Sequence, residues 1–195
     1  MTVSDIKKAL HWRFANFDYE LSESYIFKHD WESDFFVISK SGYAYEVEIK
    51  LTRSDYRADF KKQKHLIFSN IKKSHYIINN GLGLRDRDYV KNGDGQYVLQ
   101  ELGPHTRIEI IDNSKVIAPN KFYYAVPEGL IAPSEVPAYS GLIYVHGHYC
   151  TVVKEAPFLH KRKLDLQSTL LKKFYYECIR HRITIENFNR KNKEF

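Results

Sequence analysis

Two consecutive apolar segments joined by a short turn constrain the fold of this chain more than any other feature. Residues 35–39 and 43–51 are rich in β-branched and aromatic side chains and are predicted strands of a hairpin with a Lys-Ser-Gly turn. Asp34 opens the first strand, and the triplet from Glu48 to Lys50 ends the second. Because residues i and i+2 of a strand share a face, Glu48 and Lys50 are expected to point the same way.

The length of the turn decides whether Asp34 and Glu48 meet. A three-residue loop at 40–42, with Gly42 in the left-handed position, places the two carboxylates directly opposite each other, with Cβ atoms ~5 Å apart. A two-residue Ser41-Gly42 turn places them on opposite faces, and the sequence leaves both turns open. Two facing carboxylates destabilise a sheet unless a cation lies between them, so the longer loop favours a cation site.

These side chains suit metal-dependent hydrolysis of a phosphodiester. Asp34 and Glu48 are expected to bind Mg²⁺, with the backbone carbonyl of Ile49 as a third oxygen ligand. Such a metal polarises a phosphoryl oxygen and lowers the pKa of a bound water. Lys50 is expected to orient that water or to stabilise the charge that develops on the phosphate.

Three more acids lie near the predicted strands. Glu23 precedes a short strand predicted at 25–27 and is a further candidate ligand of the metal or of water, with Glu20 as its competitor. Glu46 shares the face of Glu48 and is a candidate to support the site or contact substrate, but it lies farther from the strand end, which slightly favours a solvated acid.

Helical patterns flank these strands. Residues 3–16 are predicted to form an amphipathic helix, and Ser54 is a suitable N-cap for a helix that runs to about Phe68. A last helix is predicted at about 164–182, followed by a polar tail from about 187 to 195 that is expected to be flexible.

The segment from about 71 to 119 is predicted to be an insertion with structure of its own. Links between a helix and a strand normally have ~2–6 residues, so this segment is too long to be a simple connection. Strands are predicted within and after it at 97–102, 107–111, 121–126, 141–145 and 149–154.

Composition indicates one globular domain, residues 1–195, with a basic character. The formal net charge is +6, which permits a polyanionic partner. Two cysteines give no disulfide framework, so a reducing cytoplasm is expected, and no membrane partner is predicted. Basic residues cluster in two regions, at Lys61, Lys62, Lys64, Lys72 and Lys73, and at Lys161, Arg162, Lys163, Lys172, Lys173, Arg180 and Arg182.

The run from Tyr45 to Phe60, which reads YEVEIKLTRSDYRADF, resembles the MmcB-like branch of the PD-(D/E)XK nuclease superfamily and its phage relatives. The resemblance continues at 122–127, 139–143 and 153–157 and covers about two thirds of the chain, outside the insertion. Ser33 stands where the superfamily has a proline.

This resemblance implies an α/β, restriction-endonuclease-like core with the order α-β-β-β-α-β, a mixed sheet, an inserted β-rich segment and a C-terminal helix. It implies Mg²⁺-dependent cleavage of DNA, with Mn²⁺ as a substitute, in DNA repair or phage DNA metabolism in the cytoplasm of a bacterial or phage-infected cell. RNA remains an open alternative substrate. The acids and lysine of the motif match Asp34, Glu48 and Lys50. Asp55 and Asp59 match recurrent acids.

The helix that carries Asp55 and Asp59 is expected to support the site or contact substrate. As residues i and i+4 they share a helical face, and Lys62 and Lys64 follow on the same segment. Electrostatic stabilisation of the helix start is an equal explanation of the two acids.

A non-catalytic nucleic-acid-binding module on a nuclease scaffold is the alternative function, motivated by the basic C-terminal helix and the insertion. A structural protein that uses the tyrosine-rich insertion as an interface is a third hypothesis. The completeness of the acid–lysine set favours the enzyme.

Overall fold

The computed structural model describes residues 1–27, 31–72, 75–79, 89–91, 97–99, 108–112 and 117–191. Within these ranges, the surroundings of the side chains are described for all residues except 63, those between 73 and 116, and those after 187. Its helices are α1 (Val3–Arg13), α2 (Arg53–Asp59), α3 (Gln63–Asn70) and α4 (Gln167–Lys191). Its strands are β1 (Tyr19–Ser24), β2 (Ser33–Ile38), β3 (Ala44–Ile49), β4 (His75–Asn79), β5 (Tyr89–Lys91), β6 (Tyr97–Leu99), β7 (Ile108–Asp112), β8 (Lys121–Pro127), β9 (Ser140–His146) and β10 (Tyr149–Lys154).

Six strands form one mixed sheet in the order β1-β2-β3-β8-β9-β10. The β3–β8 and β8–β9 pairs are parallel, and the other pairs are antiparallel. The predicted mixed α/β fold is therefore confirmed, with its opening helix, three antiparallel strands, helical segment, further strand and C-terminal helix. Within the described residues, no helix combines the length and apolar character that crossing a membrane requires.

The described part of the insertion is β-rich, as predicted. Strand β4 pairs with β7 and β5 pairs with β6, both antiparallel, in two small sheets separate from the main one. Of these strands, β6 and β7 overlap predicted ones, whereas β4 and β5 were not predicted.

The β2–β3 hairpin has the three-residue loop that the sequence left as one of two options. The Ser39 N–H donates to the Tyr43 carbonyl at 2.9 Å, and Gly42 has a φ of +80°, which glycine adopts without strain. Phe35 lies opposite Val47 in this register. Continued by one residue, the same register sets Asp34 opposite Glu48.

The sheet buries a core on each face. Helix α1 covers one face, where Ile6 and Leu10 join a cluster with Phe35 and Val47. Helix α3 and the start of α4 cover the other face, in a cluster that includes Phe68, Phe122 and Leu166. Because side chains alternate along a strand, Phe35 faces α1 while its neighbour Asp34 faces the side of α3.

The predicted helix from Ser54 to Phe68 is two helices. Its N-cap is Thr52, whose Oγ1 accepts from the Asp55 N–H at 3.1 Å, so Ser54 lies inside the first turn. The chain leaves the helical conformation at Lys62, where φ is −74° and ψ is 138°. This break changes the direction of the chain, and it allows Lys62 and Lys64 to approach the same acid.

Three other predicted boundaries differ from the structure. The first strand is Tyr19–Ser24 rather than 25–27, because it is a polar edge strand that lacks an apolar alternation. Helix α1 ends at Arg13. Helix α4 runs to Lys191 rather than to about 182, since no glycine or proline interrupts it, and residues 192–195 of the predicted tail lie outside the described part of the chain.

Candidate functional site

Glu48 and Lys50 lie on one face at the C-terminal end of β3, as their spacing predicts. The Lys50 Nζ is 2.9 Å from Oε1 of Glu48. Both side chains are almost fully buried, with exposed fractions of 6% for Lys50 and 1% for Glu48. The Lys50 N–H donates to the Ala125 carbonyl at 3.0 Å, so the parallel β3–β8 ladder fixes the backbone that carries the pair.

Asp34 reaches the same strand end from β2. Its Oδ2 accepts from the Ile49 N–H at 2.8 Å, which ties the carboxylate to the residue between Glu48 and Lys50. Burial, and next the negative charge of Glu48, raise the pKa of Asp34 to about 6. Asp34 and Glu48 therefore lie at the same strand end, and the hydrogen bond to Ile49 N–H holds Asp34 there.

Three ammonium groups surround Glu48. Besides Lys50, the Lys62 Nζ lies 2.5 Å from Oε1, and the Lys64 Nζ lies 2.5 Å from Oε2. Lys64 is fully buried, whereas the side chain of Lys62 is 42% exposed. Burial alone would lower the pKa of Lys64, but Glu46 and Glu48 raise it above its usual range, so the group stays charged.

Asp59 joins this group from the end of α2. Its Oδ1 is 2.8 Å from the Lys62 Nζ and 3.1 Å from the Lys50 Nζ. Burial would raise the pKa of Asp59, but a hydrogen bond with His65 and the charge of Lys64 hold it far below its usual range. We call these residues the acid–lysine cluster: Asp34, Glu48, Lys50, Asp59, Lys62 and Lys64.

Asp55 borders the cluster from the first turn of α2. Its Oδ1 is 3.5 Å from the Lys50 Nζ, and its side chain is 53% exposed. Asp55 and Asp59 thus both face Lys50, as their i, i+4 spacing predicts. Since Asp55 and Lys62 are the more exposed groups, the cluster opens to solvent between them.

The prediction of a solvated Glu46 is wrong. Glu46 is fully buried, where Oε2 accepts from the Trp31 Nε1 at 3.2 Å and Oε1 lies 3.2 Å from the Lys64 Nζ. Burial is the main cause that raises its pKa to about 7. The prediction failed because α3 covers this part of the face and brings its own cation.

Glu23 is not brought to the cluster by any contact that the described residues show. Its carboxylate pairs with the Lys7 Nζ at 2.5 Å, and it is 71% exposed. Glu20, the competing acid, pairs with His11 at 2.9 Å. Both partners lie on α1, which covers the opposite face of the sheet.

Sequence reasoning missed the groups that hold Asp59. Its Oδ2 is 2.8 Å from His65 Nε2 and accepts from the Tyr124 hydroxyl at 3.0 Å. The other ring nitrogen of His65 is 2.8 Å from the Tyr139 hydroxyl. These three residues come from α3, β8 and the loop before β9, so no local sequence pattern predicts that they contact one another.

Carboxylate oxygens of the kind present here are the ligands that hard divalent cations prefer. Among the described residues, no group of three or more histidines, cysteines, aspartates and glutamates has the arrangement of a metal site. Mg²⁺, however, is usually held by one or two carboxylates, with waters and substrate phosphates as its other ligands. Asp34 and Glu48 are two carboxylates at one strand end, and both oxygens of Glu48 contact lysine ammonium groups.

Comparisons with known proteins add information on the fold alone. No family model matches the sequence, and no curated protein matches it. Among solved structures, the chain is similar to the SPO1766 protein of unknown function from Silicibacter pomeroyi, with a TM-score of 0.54 and 16% sequence identity. The similarity covers 95% of this chain and 92% of that one, so a similar fold occurs in a second protein.

Proposed function

We propose that this protein is a metal-dependent nuclease that hydrolyses phosphodiester bonds of DNA, as an endonuclease of DNA repair or phage DNA metabolism. The observation that carries the proposal is that Asp34, Glu48 and Lys50 lie at one strand end, where Asp34 accepts from the Ile49 N–H and Lys50 contacts Glu48. The basic charge of +6 suits a polyanionic substrate.

The three residues would divide the chemistry between them. Asp34 and Glu48 would hold Mg²⁺ or Mn²⁺, which would activate a water and polarise a phosphoryl oxygen. Although burial alone would lower the pKa of Lys50, Glu48 and Asp59 raise it above its usual range. Lys50 is therefore an ammonium at neutral pH, and it would donate a hydrogen bond to the attacking water or to a phosphate oxygen instead of removing a proton.

The direct test is cleavage by the purified full chain. Supercoiled, linear and single-stranded DNA, and a matched RNA, would each be incubated with Mg²⁺, Mn²⁺ or EDTA and separated on gels. We expect nicked or linearised plasmid with either metal and none with EDTA. Intact DNA in every metal condition between pH 6 and 9 would remove the proposal, and cleavage of RNA alone would change the substrate.

Metal binding and cleavage should rise with pH between about 5 and 7. The pKa of Asp34 is raised to about 6, so this ligand is a carboxylate only above that pH. Below it, the affinity for Mn²⁺ should fall by about tenfold for each pH unit, since one proton competes with the metal. Calorimetric titration with Mn²⁺ at constant ionic strength measures this.

Glu46→Gln is the control for that titration. Glu46 is the other carboxyl of this region with a raised pKa, about 7, and it has no place among the proposed ligands. The variant should keep the transition near pH 6. An affinity that does not change between pH 5 and 7, or a transition that disappears with Glu46, would contradict the assignment to Asp34.

One observation favours the second candidate, a nucleic-acid-binding module without catalysis. Both oxygens of Glu48 already contact lysines, so its charge is neutralised within the protein. Under this hypothesis the three ammonium groups replace the metal permanently. The two candidates differ in whether Lys62, the exposed member, can be displaced by a divalent ion.

Lys62→Met should therefore strengthen Mn²⁺ binding on the order of tenfold, because it removes a cation at contact distance from Glu48. Isothermal calorimetry on the apo protein measures the change. Lys61→Met is the matched control, since Lys61 is an exposed neighbour that makes no hydrogen bond or ion pair with Glu48 among the described residues, and the affinity of this variant should stay that of the wild type. Absence of Mn²⁺ binding in both wild type and Lys62→Met would favour the binding module.

A further inference from the structure

Helix α4 presents an apolar and aromatic surface to solvent that the enzyme site does not explain. Leu171, Phe174, Tyr175 and Tyr176 are between 59% and 68% exposed. Among the described residues, the helix joins the core of the sheet near its start, where Leu166, just before the helix, is buried and Leu170 is partly buried. Residues 181–187 are all exposed. An exposed patch of this kind marks a binding surface.

The helix runs from the closed end of the β2–β3 hairpin toward the end that carries Asp34. Its start lies near Gly42 and Ala44, beside the hairpin loop. Further along, the Lys173 Nζ lies over the ring of Tyr25, which follows the end of β1. Ser24, the last residue of β1, pairs with Ser33, the residue before Asp34.

The helix therefore continues past the strand end where the acid–lysine cluster opens. The turns after Arg180 extend roughly 16 Å at 1.5 Å per residue. Leu166 and Leu170 pack in the same core cluster as Phe36 and Phe122, so α4 lies on the face of the sheet that bears the cluster.

Cations and rings alternate along this surface. Lys172 and Arg180 stand one turn before and one turn after Tyr176, so all three share a face of the helix. Lys172 is also within one turn of Tyr175. Rings on which bases stack, flanked by cations that pair with phosphates, are the elements of surfaces that bind single-stranded nucleic acids.

The charge of α4 selects among the occupants that an exposed helix can have. Its sequence carries six lysines and arginines and two glutamates, a net charge of 6 − 2 = +4. Two copies of this helix would repel each other, whereas a phosphate backbone would be attracted. The acids pair within the helix, Glu177 with Arg180 at 3.1 Å and Glu186 with Arg182 at 4.0 Å, in exposed contacts that cost little to break.

We propose that the exposed face of α4 binds a single-stranded segment of nucleic acid, with bases stacked on Tyr175 and Tyr176 and phosphates on Lys172, Arg180 and Arg182. The further step, in which the bound nucleic acid is the substrate of the acid–lysine cluster, rests on the proposed nuclease function. The binding itself needs neither metal nor cleavage.

The test is fluorescence anisotropy of a labelled 20-nucleotide single-stranded DNA with the full chain in EDTA, at two salt concentrations. Lys172→Ala/Tyr176→Ala should weaken binding roughly tenfold or more and lower the salt dependence. The matched control is Lys8→Ala/Trp12→Ala. That pair has the same i, i+4 spacing on α1, where Trp12 is 72% exposed on the opposite side of the sheet. It should bind as the wild type does.

Lys172→Glu/Arg182→Glu is a second variant that leaves the rings in place, and it should also lose binding. Equal affinity of the wild type and both α4 variants, whether binding is tight or absent, overturns the inference. So does a wild-type dimer in sedimentation that the same substitutions dissociate, since the face would then bind a second copy.

The two proposals fail separately. If the wild type binds but cleaves nothing with any metal, and the α4 variants lose binding, this inference is supported and the nuclease function is contradicted. If the wild type cleaves with a metal, and no α4 substitution changes binding, the nuclease function is supported and this inference is contradicted.

Discussion

Lys50→Met should reduce the rate of DNA cleavage by about 10²–10³, the typical loss when one preorganised electrostatic donor is removed from an active site. The ammonium lies 2.9 Å from Glu48 and 3.1 Å from Asp59, so both partners hold it in place before substrate binds. Single-turnover cleavage of a labelled duplex with saturating metal measures the chemical step without the contribution of product release.

Lys163→Met is the control for this loss. Lys163 is exposed and its side chain lies beside Gly42, at the other end of β2 and β3, so the same substitution there should leave the rate unchanged. Glu48→Gln should cause a loss at least as large as that of Lys50→Met, because it removes a proposed metal ligand. Cleavage by either variant at the rate of the wild type would contradict the assignment of the site, provided that thermal unfolding shows the variants to be folded.

Lys64→Met should cost about 3–5 kcal/mol of the free energy of unfolding, whatever the protein does. Lys64 is fully buried and contacts Glu46 and Glu48, which are also buried. Removing one partner of a buried ion pair leaves the other charge without compensation in a medium that solvates it poorly. Urea denaturation followed by circular dichroism measures the loss.

Two further variants isolate the cause of that loss. Glu46→Gln/Lys64→Met removes one buried charge of each sign and should recover part of the stability. Arg53→Met breaks an ion pair with Glu135 that is 47% and 38% exposed, and it should cost at most about 1 kcal/mol. A loss in Lys64→Met no larger than in Arg53→Met would show that the buried network contributes little.

Local patterns predicted the parts of the site that depend on chain geometry alone. Alternation along a strand places Glu48 and Lys50 on one face, and this was confirmed. Gly42 suits a three-residue loop, one of the two turns that the sequence left open, and the structure has that loop and its register. The mixed α/β order could be predicted because the apolar pattern distinguishes helices from strands, and the structure confirms that order.

The parts that were wrong depend on contacts between residues far apart in the sequence. Glu46 was expected in solvent because nothing near it in the chain predicts that Trp31 and Lys64 would cover it. The continuous helix to Phe68 was wrong for the same reason. The turn at Lys62 allows two lysines to reach Glu48. Helical propensity depends on the local sequence alone and does not include this electrostatic stabilisation.

The functional predictions remain predictions, and they include the metal, the substrate and the role of Glu23. Their support is chemical complementarity between the cluster and a phosphodiester, and the fold similarity to SPO1766 carries no function with it.

The hairpin register has a consequence for how this protein tolerates mutation. A shift by one residue would move Asp34 away from Glu48, but it would also turn the buried Phe35 and Val37 out of the core against α1. Hydrophobic selection on the α1 side of the sheet therefore excludes a shift by one residue, because the side chains have a period of two along each strand. The two acids can change in identity, yet as long as the α1 core persists, the side chains at positions 34 and 48 will stay on the other face of the sheet.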